Sequence, residues 1–131
     1  MAHSPVPRSA VIVAHGSPSD PESQEAALRT LAGHVEAHMD GWRVGSATLA
    51  AKGRLEAEVD ALGGPLIYPF FMARGWFTGQ VLAKKARELG LRMLEPFGVE
   101  PGLVACARTE LHAQLAQKGW EASETALVVA A

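Results

Sequence analysis

The sequence has one cysteine, no large excess of either charge and no long apolar run. Cys106 excludes an internal disulfide and a cysteine-rich metal site, which agrees with a reducing compartment. With 12 basic and 14 acidic side chains the net charge is −2, so the chain lacks the basic surface that attracts nucleic acid or anionic membranes. No stretch approaches the roughly 18 apolar residues of a membrane span. We predict a cytoplasmic protein that binds neither nucleic acid nor membrane, with Cys106 as a small buried side chain on a helix.

Common nucleotide, hydrolase and metalloprotease motifs are absent as well. The 13 glycines form neither G-x-x-x-x-G-K-[ST] nor a G-x-G-x-x-G string after a strand. Ser17 does not lie in the G-x-S-x-G elbow of a serine hydrolase. His34 and His38 share helical spacing, but the glutamate between them is misplaced for a zinc protease. We expect these two histidines at the surface rather than on a metal.

Buried strands alternate with helices along the chain. The continuous apolar run 10–14 is typical of a strand covered on both faces of a parallel sheet. A cap at Asp20, a proline at Pro21 and an acid at Glu22 then predict the start of a helix. Further strands are predicted at about 42–49, 65–72, 92–94 and 125–131, and further helices at about 55–62, 78–89 and 103–118.

This alternation predicts one α/β domain over residues 1–131. We expect a three-layer αβα sandwich with a mainly parallel sheet of four or five strands and flavodoxin-like topology. The run 127–130 resembles the first strand at 11–14. The segment 125–131 is therefore either an ordinary fifth strand or the start of a second repeat.

His15 is the residue best placed for chemistry. It directly follows the first buried strand, so the sheet would hold its imidazole at the carboxyl edge, where ligands of parallel sheets bind. Gly16 permits a close turn, Ser17 adds a hydroxyl, and amide groups at the start of the following helix could receive a carboxylate or phosphate. Alternatively, His15 only bonds a loop carbonyl.

A second candidate region follows the third strand, which leads to the same edge of the sheet. Large apolar side chains concentrate there and could take a flat aromatic ligand, or could simply pack into the core. An arginine in the loop could bind an acidic ligand or be solvated. The residues concerned are Phe70, Phe71, Met72, Arg74, Gly75, Trp76 and Phe77.

The strand that ends in His15-Gly16-Ser17, with the Pro-Phe-rich run 67–72 and then Gly75, resembles the class II tetrapyrrole chelatases of the CbiX and SirB type. The resemblance spans nearly the whole chain. It implies insertion of Co²⁺ or Fe²⁺ into sirohydrochlorin, in cobalamin or sirohaem biosynthesis. His15 would then be metal ligand or base, and the substrate would bind at Gly16, Ser17, Phe71, Met72, Arg74, Gly75, Trp76 and Phe77. A homodimer, or pairing with a second chelatase-like half, is the implied assembly.

The chain departs from the family pattern at one position. Family members with a working site carry a second histidine after the third strand, in a Gly-x-His string, whereas this chain has Gly75-Trp76-Phe77. Three hypotheses follow. The chain is a chelatase; it is a half-domain that binds a tetrapyrrole, or completes a partner's cleft, without chemistry; or it is an unrelated flavodoxin-like domain that binds a small anion at the His15 turn.

Overall fold

The computed structural model describes residues 8–130, apart from the side chain of Phe77. The chain divides into two compact units, Met1–Val99 and Glu100–Ala131. The first unit contains β1 (Ser9–Ala14), α1 (Pro21–Ala37), β2 (Arg43–Thr48), α2 (Arg54–Leu62), β3 (Leu66–Pro69), a π-helix (Phe77–Leu82), α3 (Ala83–Leu89) and a 3₁₀ turn (Phe97–Val99). The second contains α4 (Pro101–Lys118) and a 3₁₀ turn (Ala122–Glu124). No helix in the described chain is both long and apolar enough to cross a membrane.

β1 is the central strand of a parallel sheet with the order β2-β1-β3. Val11 pairs with Gly45 on one side and with Ile67 on the other. Because both of its edges are paired and both of its faces are covered, β1 consists almost entirely of apolar residues. The predicted parallel α/β fold class is confirmed.

Helices cover both faces of the sheet, which gives the three predicted layers. On one face, α1 packs on β1 and β2 through Ile12, Leu28, Ala32 and Val44. On the other face, α2 and the helix that follows β3 enclose the larger cluster, which consists of Val11, Val13, Ala47, Leu55, Val59, Leu62, Ile67, Leu82 and Ala86. From β1 the chain crosses to β2 on one side and later to β3 on the other side. The direction in which strands are added therefore changes at β1, and its carboxyl end is the switch point of the sheet.

α1 begins where the sequence predicts. Asp20 is its N-cap and accepts a hydrogen bond from the backbone N–H of Ser23 at 3.4 Å, with Pro21 at the first helical position. Glu22 lies in the first turn, where its charge complements the positive end of the helix. The turn that carries His15 is therefore joined to a well-defined helix start.

Within residues 8–130 the sheet has three strands, fewer than the predicted four or five. The segment 92–94 forms only an isolated bridge, between Ile67 and Met93. On that side of β3 the backbone N–H groups belong to residues 65, 67 and 69, and Pro65 and Pro69 have none to donate. Ile67 alone therefore donates, to Arg92 O at 2.9 Å. The brief fourth strand predicted at 92–94 is therefore limited to a single parallel bridge.

In the second unit, the prediction of a helix is confirmed and that of a strand is wrong. α4 covers Pro101–Lys118, and Cys106 on it is exposed rather than buried. Residues 125–130 form no strand, and Leu127, Val128 and Val129 are exposed. An apolar run predicts burial but does not supply a partner strand, and none pairs with this segment in the described chain. The single-domain organisation and the second repeat stay predictions.

Candidate functional site

The candidate site lies at the carboxyl edge of the sheet, where β1 and β3 end side by side. Val13 pairs with Pro69, and Phe70 N–H donates to Val13 O at 2.7 Å. The residues that follow β1 and those that follow β3 therefore leave the sheet at the same edge. His15 lies one residue after β1, as the sequence predicts.

The His15 side chain is exposed at this edge. Its Nδ1 lies 3.2 Å from the carbonyl oxygen of Gly16. This contact fits the tautomer with the proton on Nδ1, in which Nε2 carries the lone pair that accepts a proton or binds a metal. His15 can therefore bond a loop carbonyl and still have a chemical role, although the sequence left these two as alternatives.

Gly16 is required by the geometry of the turn. Its φ is +78°, and a Cβ at this position would lie 2.6 Å from Cβ and 2.8 Å from Oγ1 of Thr48. Two backbone bonds continue beyond β1, from Leu49 N–H to Ala14 O and from Ala50 N–H to His15 O, both at 3.0 Å. These bonds hold the His15 turn against the segment that follows β2.

Ser17 takes part in the connection between the turn and α1. Its Oγ lies 3.0 Å from Oγ of Ser19, and its carbonyl oxygen accepts from Asp20 N–H at 3.2 Å. These contacts give the hydroxyl a structural partner in the turn. Its part in substrate binding stays a prediction.

A small cavity of ≈ 200 Å³ lies beside the turn, between α1 and the sheet. Most of its walls are apolar, and it is lined by Ala14, Gly16, Gln24, Ala27, Leu28, Leu31, Thr48 and Phe70. Phe70 also contacts Phe97, with ring centroids 4.8 Å apart. The apolar wall predicted after β3 thus belongs partly to this cavity.

The predicted binding residues after β3 divide into packed and exposed groups. Phe71 is half-buried against the core of the α2 face, whereas the Met72 and Trp76 side chains are 67% and 66% exposed. Gly75 precedes the π-helix and accepts from Gly79 N–H at 2.8 Å. Phe77 begins the π-helix, and its side chain lies outside the described part of the structure. Two large apolar side chains are therefore accessible to a ligand.

Arg74 is exposed and already has an acidic partner. Its Nε donates to Oε2 of Glu95 at 2.9 Å. A ligand carboxylate at Arg74 would compete with Glu95. The sequence left two alternatives for Arg74, solvation or binding of an acidic ligand. The structure adds a third, an ion pair between two loops.

Sequence reasoning missed the buried polar residues behind the turn. Glu25 on α1 is 7% exposed, and its Oε1 accepts from Thr48 N–H at 2.6 Å. Its Oε2 lies 3.4 Å from Nε of Arg54. Glu25 stands three residues before Leu28 and seven before Ala32, so its place on the buried stripe of α1 was visible in the sequence.

No described residues form a group of three or more histidines, cysteines, aspartates or glutamates that could hold a metal ion. His34 and His38 are exposed, as expected, and Nδ1 of His38 lies 2.8 Å from His34 O. His15 is therefore the candidate metal ligand among the residues predicted for this edge.

The solved structures that are similar to this chain include two CbiX proteins. CbiX, the terminal enzyme for biosynthesis of siroheme in denitrifying bacteria, is 38% identical with a TM-score of 0.75, over 86% of this chain and 50% of that one. A putative cobalamin (vitamin B12) biosynthesis CbiX protein from Marinobacter aquaeolei VT8 is 22% identical with a TM-score of 0.63, over 83% of this chain and 98% of that one. The second likeness shows the fold alone.

This chain therefore spans half the length of the first of these proteins. No protein-family model matches it, and neither does any curated protein. The fold, the His15-Gly16-Ser17 edge and the 38% identity agree with one another: the chain belongs to the family of CbiX-type class II chelatases.

Proposed function

We propose that this chain binds sirohydrochlorin at the carboxyl edge of its sheet and takes part in the insertion of Fe²⁺, with His15 as proton acceptor or metal ligand. The observation that carries the proposal is the placement of an exposed histidine on a rigid turn, at the edge where the accessible Met72 and Trp76 side chains also follow β3. The similar CbiX that acts in siroheme biosynthesis favours iron. Co²⁺, used in cobalamin biosynthesis, is the alternative metal.

Metal insertion needs the chemistry that an imidazole supplies. The pyrrole N–H protons must leave as the metal enters the macrocycle, and a neutral imidazole accepts a proton or binds a divalent ion. With its proton on Nδ1, near Gly16 O, His15 would use Nε2 for this purpose. The apolar face of the macrocycle would contact Met72 and Trp76, and a peripheral carboxylate would bind Arg74 in place of Glu95.

One imidazole is a poor site for a divalent metal, so we propose that a second chelatase-like half, in a second copy or elsewhere in a longer chain, completes the cleft. The 50% coverage of the similar CbiX supports this proposal. We place the protein in the cytoplasm, where the single cysteine would stay reduced. The activity would be that of a lyase that acts on a tetrapyrrole.

The test is anaerobic metal insertion into sirohydrochlorin, followed by absorbance with Fe²⁺ and with Co²⁺. We expect turnover by the parent chain and a loss of at least about a hundredfold in His15→Ala. His34→Ala is the matched control, because His34 is an exposed histidine in the last turn of α1, far along the chain from the turn. Equal rates in the parent and His15→Ala would remove His15 from the mechanism.

The non-catalytic alternative has its own support, in Phe77 and in the lack of a metal cluster among the described residues. It predicts that sirohydrochlorin quenches the fluorescence of Trp76 without turnover, and Trp76→Phe separates this signal from those of Trp42 and Trp120. Phe77→His adds the imidazole that the family pattern has at this position. A gain of turnover in that variant alone would identify the parent as a degenerate half.

A further inference from the structure

We infer that Glu25 is a positioning residue that holds the His15 turn in place through the carboxyl end of β2. The inference rests on the proposed function of His15, and it concerns a buried carboxylate that has no part in the chemistry described above. β2, which Glu25 contacts, lies at the edge of the sheet.

An edge strand has backbone N–H groups that point away from its partner. The N–H groups of Arg43 and Leu49 point toward β1 and its extensions, so those of the even-numbered residues within β2 point outward. Two glutamates of α1 accept from this outward row. Glu36 Oε1 accepts from Val44 N–H at 3.4 Å at the amino end of β2, and Glu25 Oε1 accepts from Thr48 N–H at 2.6 Å at the carboxyl end.

These two contacts differ in burial and in geometry. Glu36 is exposed and its bond is long, whereas Glu25 is 7% exposed and its bond is short. Arg54, the first residue of α2, lies 3.4 Å from Glu25 Oε2 and offsets its buried charge. Glu25 thus connects α1, the end of β2 and the start of α2.

Thr48 carries the constraint from Glu25 to the turn. It is 1% exposed, and its side chain lies directly against Gly16. Two residues later, Ala50 N–H donates to His15 O at 3.0 Å. A shift of the chain at Thr48 therefore displaces both the surface beneath Gly16 and the donor that holds the backbone of His15.

The test compares amide hydrogen exchange and sirohydrochlorin binding in variants of the full chain. Glu25→Ala removes the acceptor, Glu25→Asp shortens the side chain but keeps its charge, and Glu25→Gln keeps Oε1. Glu36→Ala is the matched control, because it removes the other α1 acceptor at the opposite end of β2. If Glu25→Ala does not fold, Glu25→Asp decides.

We expect exchange at Thr48 and Ala50 to accelerate by about tenfold or more in Glu25→Ala and Glu25→Asp, with the amides of β1 unchanged. Sirohydrochlorin should bind about tenfold more weakly in the same two variants. Glu25→Gln and Glu36→Ala should resemble the parent in both measurements. A merely structural role would instead accelerate all core amides together, and that result would overturn the inference.

The two proposals fail in distinguishable ways. If His15→Ala weakens binding but Glu25→Ala and Glu25→Asp do not, the role of Glu25 is wrong and the proposed function stands. If the parent does not bind sirohydrochlorin, or if His15→Ala inserts the metal as fast as the parent, the proposed function fails, and the exchange rates at Thr48 and Ala50 still decide whether Glu25 holds the turn.

Discussion

At the residue scale, the turn after β1 depends on a glycine for two separate reasons. Gly16 has a φ of +78°, which residues other than glycine rarely adopt. In addition, a Cβ at this position would collide with Thr48. Gly53, the N-cap of α2, has a nearly equal φ of +76° but open space around it. A comparison of Gly16 with Gly53 therefore separates the cost of backbone strain from the cost of a steric collision.

We predict that Gly53→Ala costs about 1–2 kcal/mol of the free energy of unfolding, from the left-handed backbone alone. Gly16→Ala should cost about 1–3 kcal/mol more, because Thr48 is buried and cannot move away freely. Urea unfolding of both variants measures the difference. Equal losses would show that the contact with Thr48 does not constrain the turn.

Arg74 gives a second prediction at this scale, which concerns competition for its guanidinium. Because Glu95 occupies Nε at 2.9 Å, Glu95→Gln should release Arg74 and strengthen the binding of an acidic tetrapyrrole. The pair is exposed, so the gain should not exceed about fivefold. Arg74→Gln should weaken binding. Calorimetric titration measures both, and tighter binding in Arg74→Gln would exclude Arg74 from the site.

At the element scale, an ion pair joins α2 to α3 on one face of the sheet. Lys85 Nζ donates to Oε1 of Glu56 at 2.8 Å, and this bond lowers the pKa of the Glu56 carboxyl below its usual value of 4.5. A carboxylate with a lowered pKa stabilises the folded state above its unfolded pKa. That contribution is lost as the pH falls through the lowered folded pKa.

We therefore predict that Lys85→Met lowers the free energy of unfolding at neutral pH by no more than about 1 kcal/mol, because the pair is partly exposed. The difference from the parent should disappear as the pH falls below 4.5 and through the lowered pKa of Glu56. Lys84→Met, which removes a pair within α3, is the control. A difference that stays constant with pH would rule out the pairing with Glu56.

The elements also show which parts of the fold a sequence reveals. The apolar run of β1 and the cap at Asp20 are local patterns, and both elements form where they were predicted. A strand also needs a partner with free donors. Pro65 and Pro69 limit the segment 92–94 to one bridge, and the apolar run 125–130 forms no strand.

At the scale of the whole molecule, the position of His15 could be predicted because it follows β1 in the sequence and the carboxyl ends of parallel strands bind ligands. Glu25 could not be recognised as its support, because the two residues meet only through Thr48 on a third element. The pairing of Arg74 with Glu95 joins residues 21 apart in loops, where no periodic pattern exists. Side-chain networks of this kind depend on tertiary contacts.

Calorimetric titration of sirohydrochlorin into the chain is the critical measurement of whether the His15 edge binds a tetrapyrrole. We expect saturable binding by the parent and by His34→Ala, and binding about tenfold weaker in His15→Ala. The absence of binding by the parent, or equal affinity in the parent and His15→Ala, would contradict it.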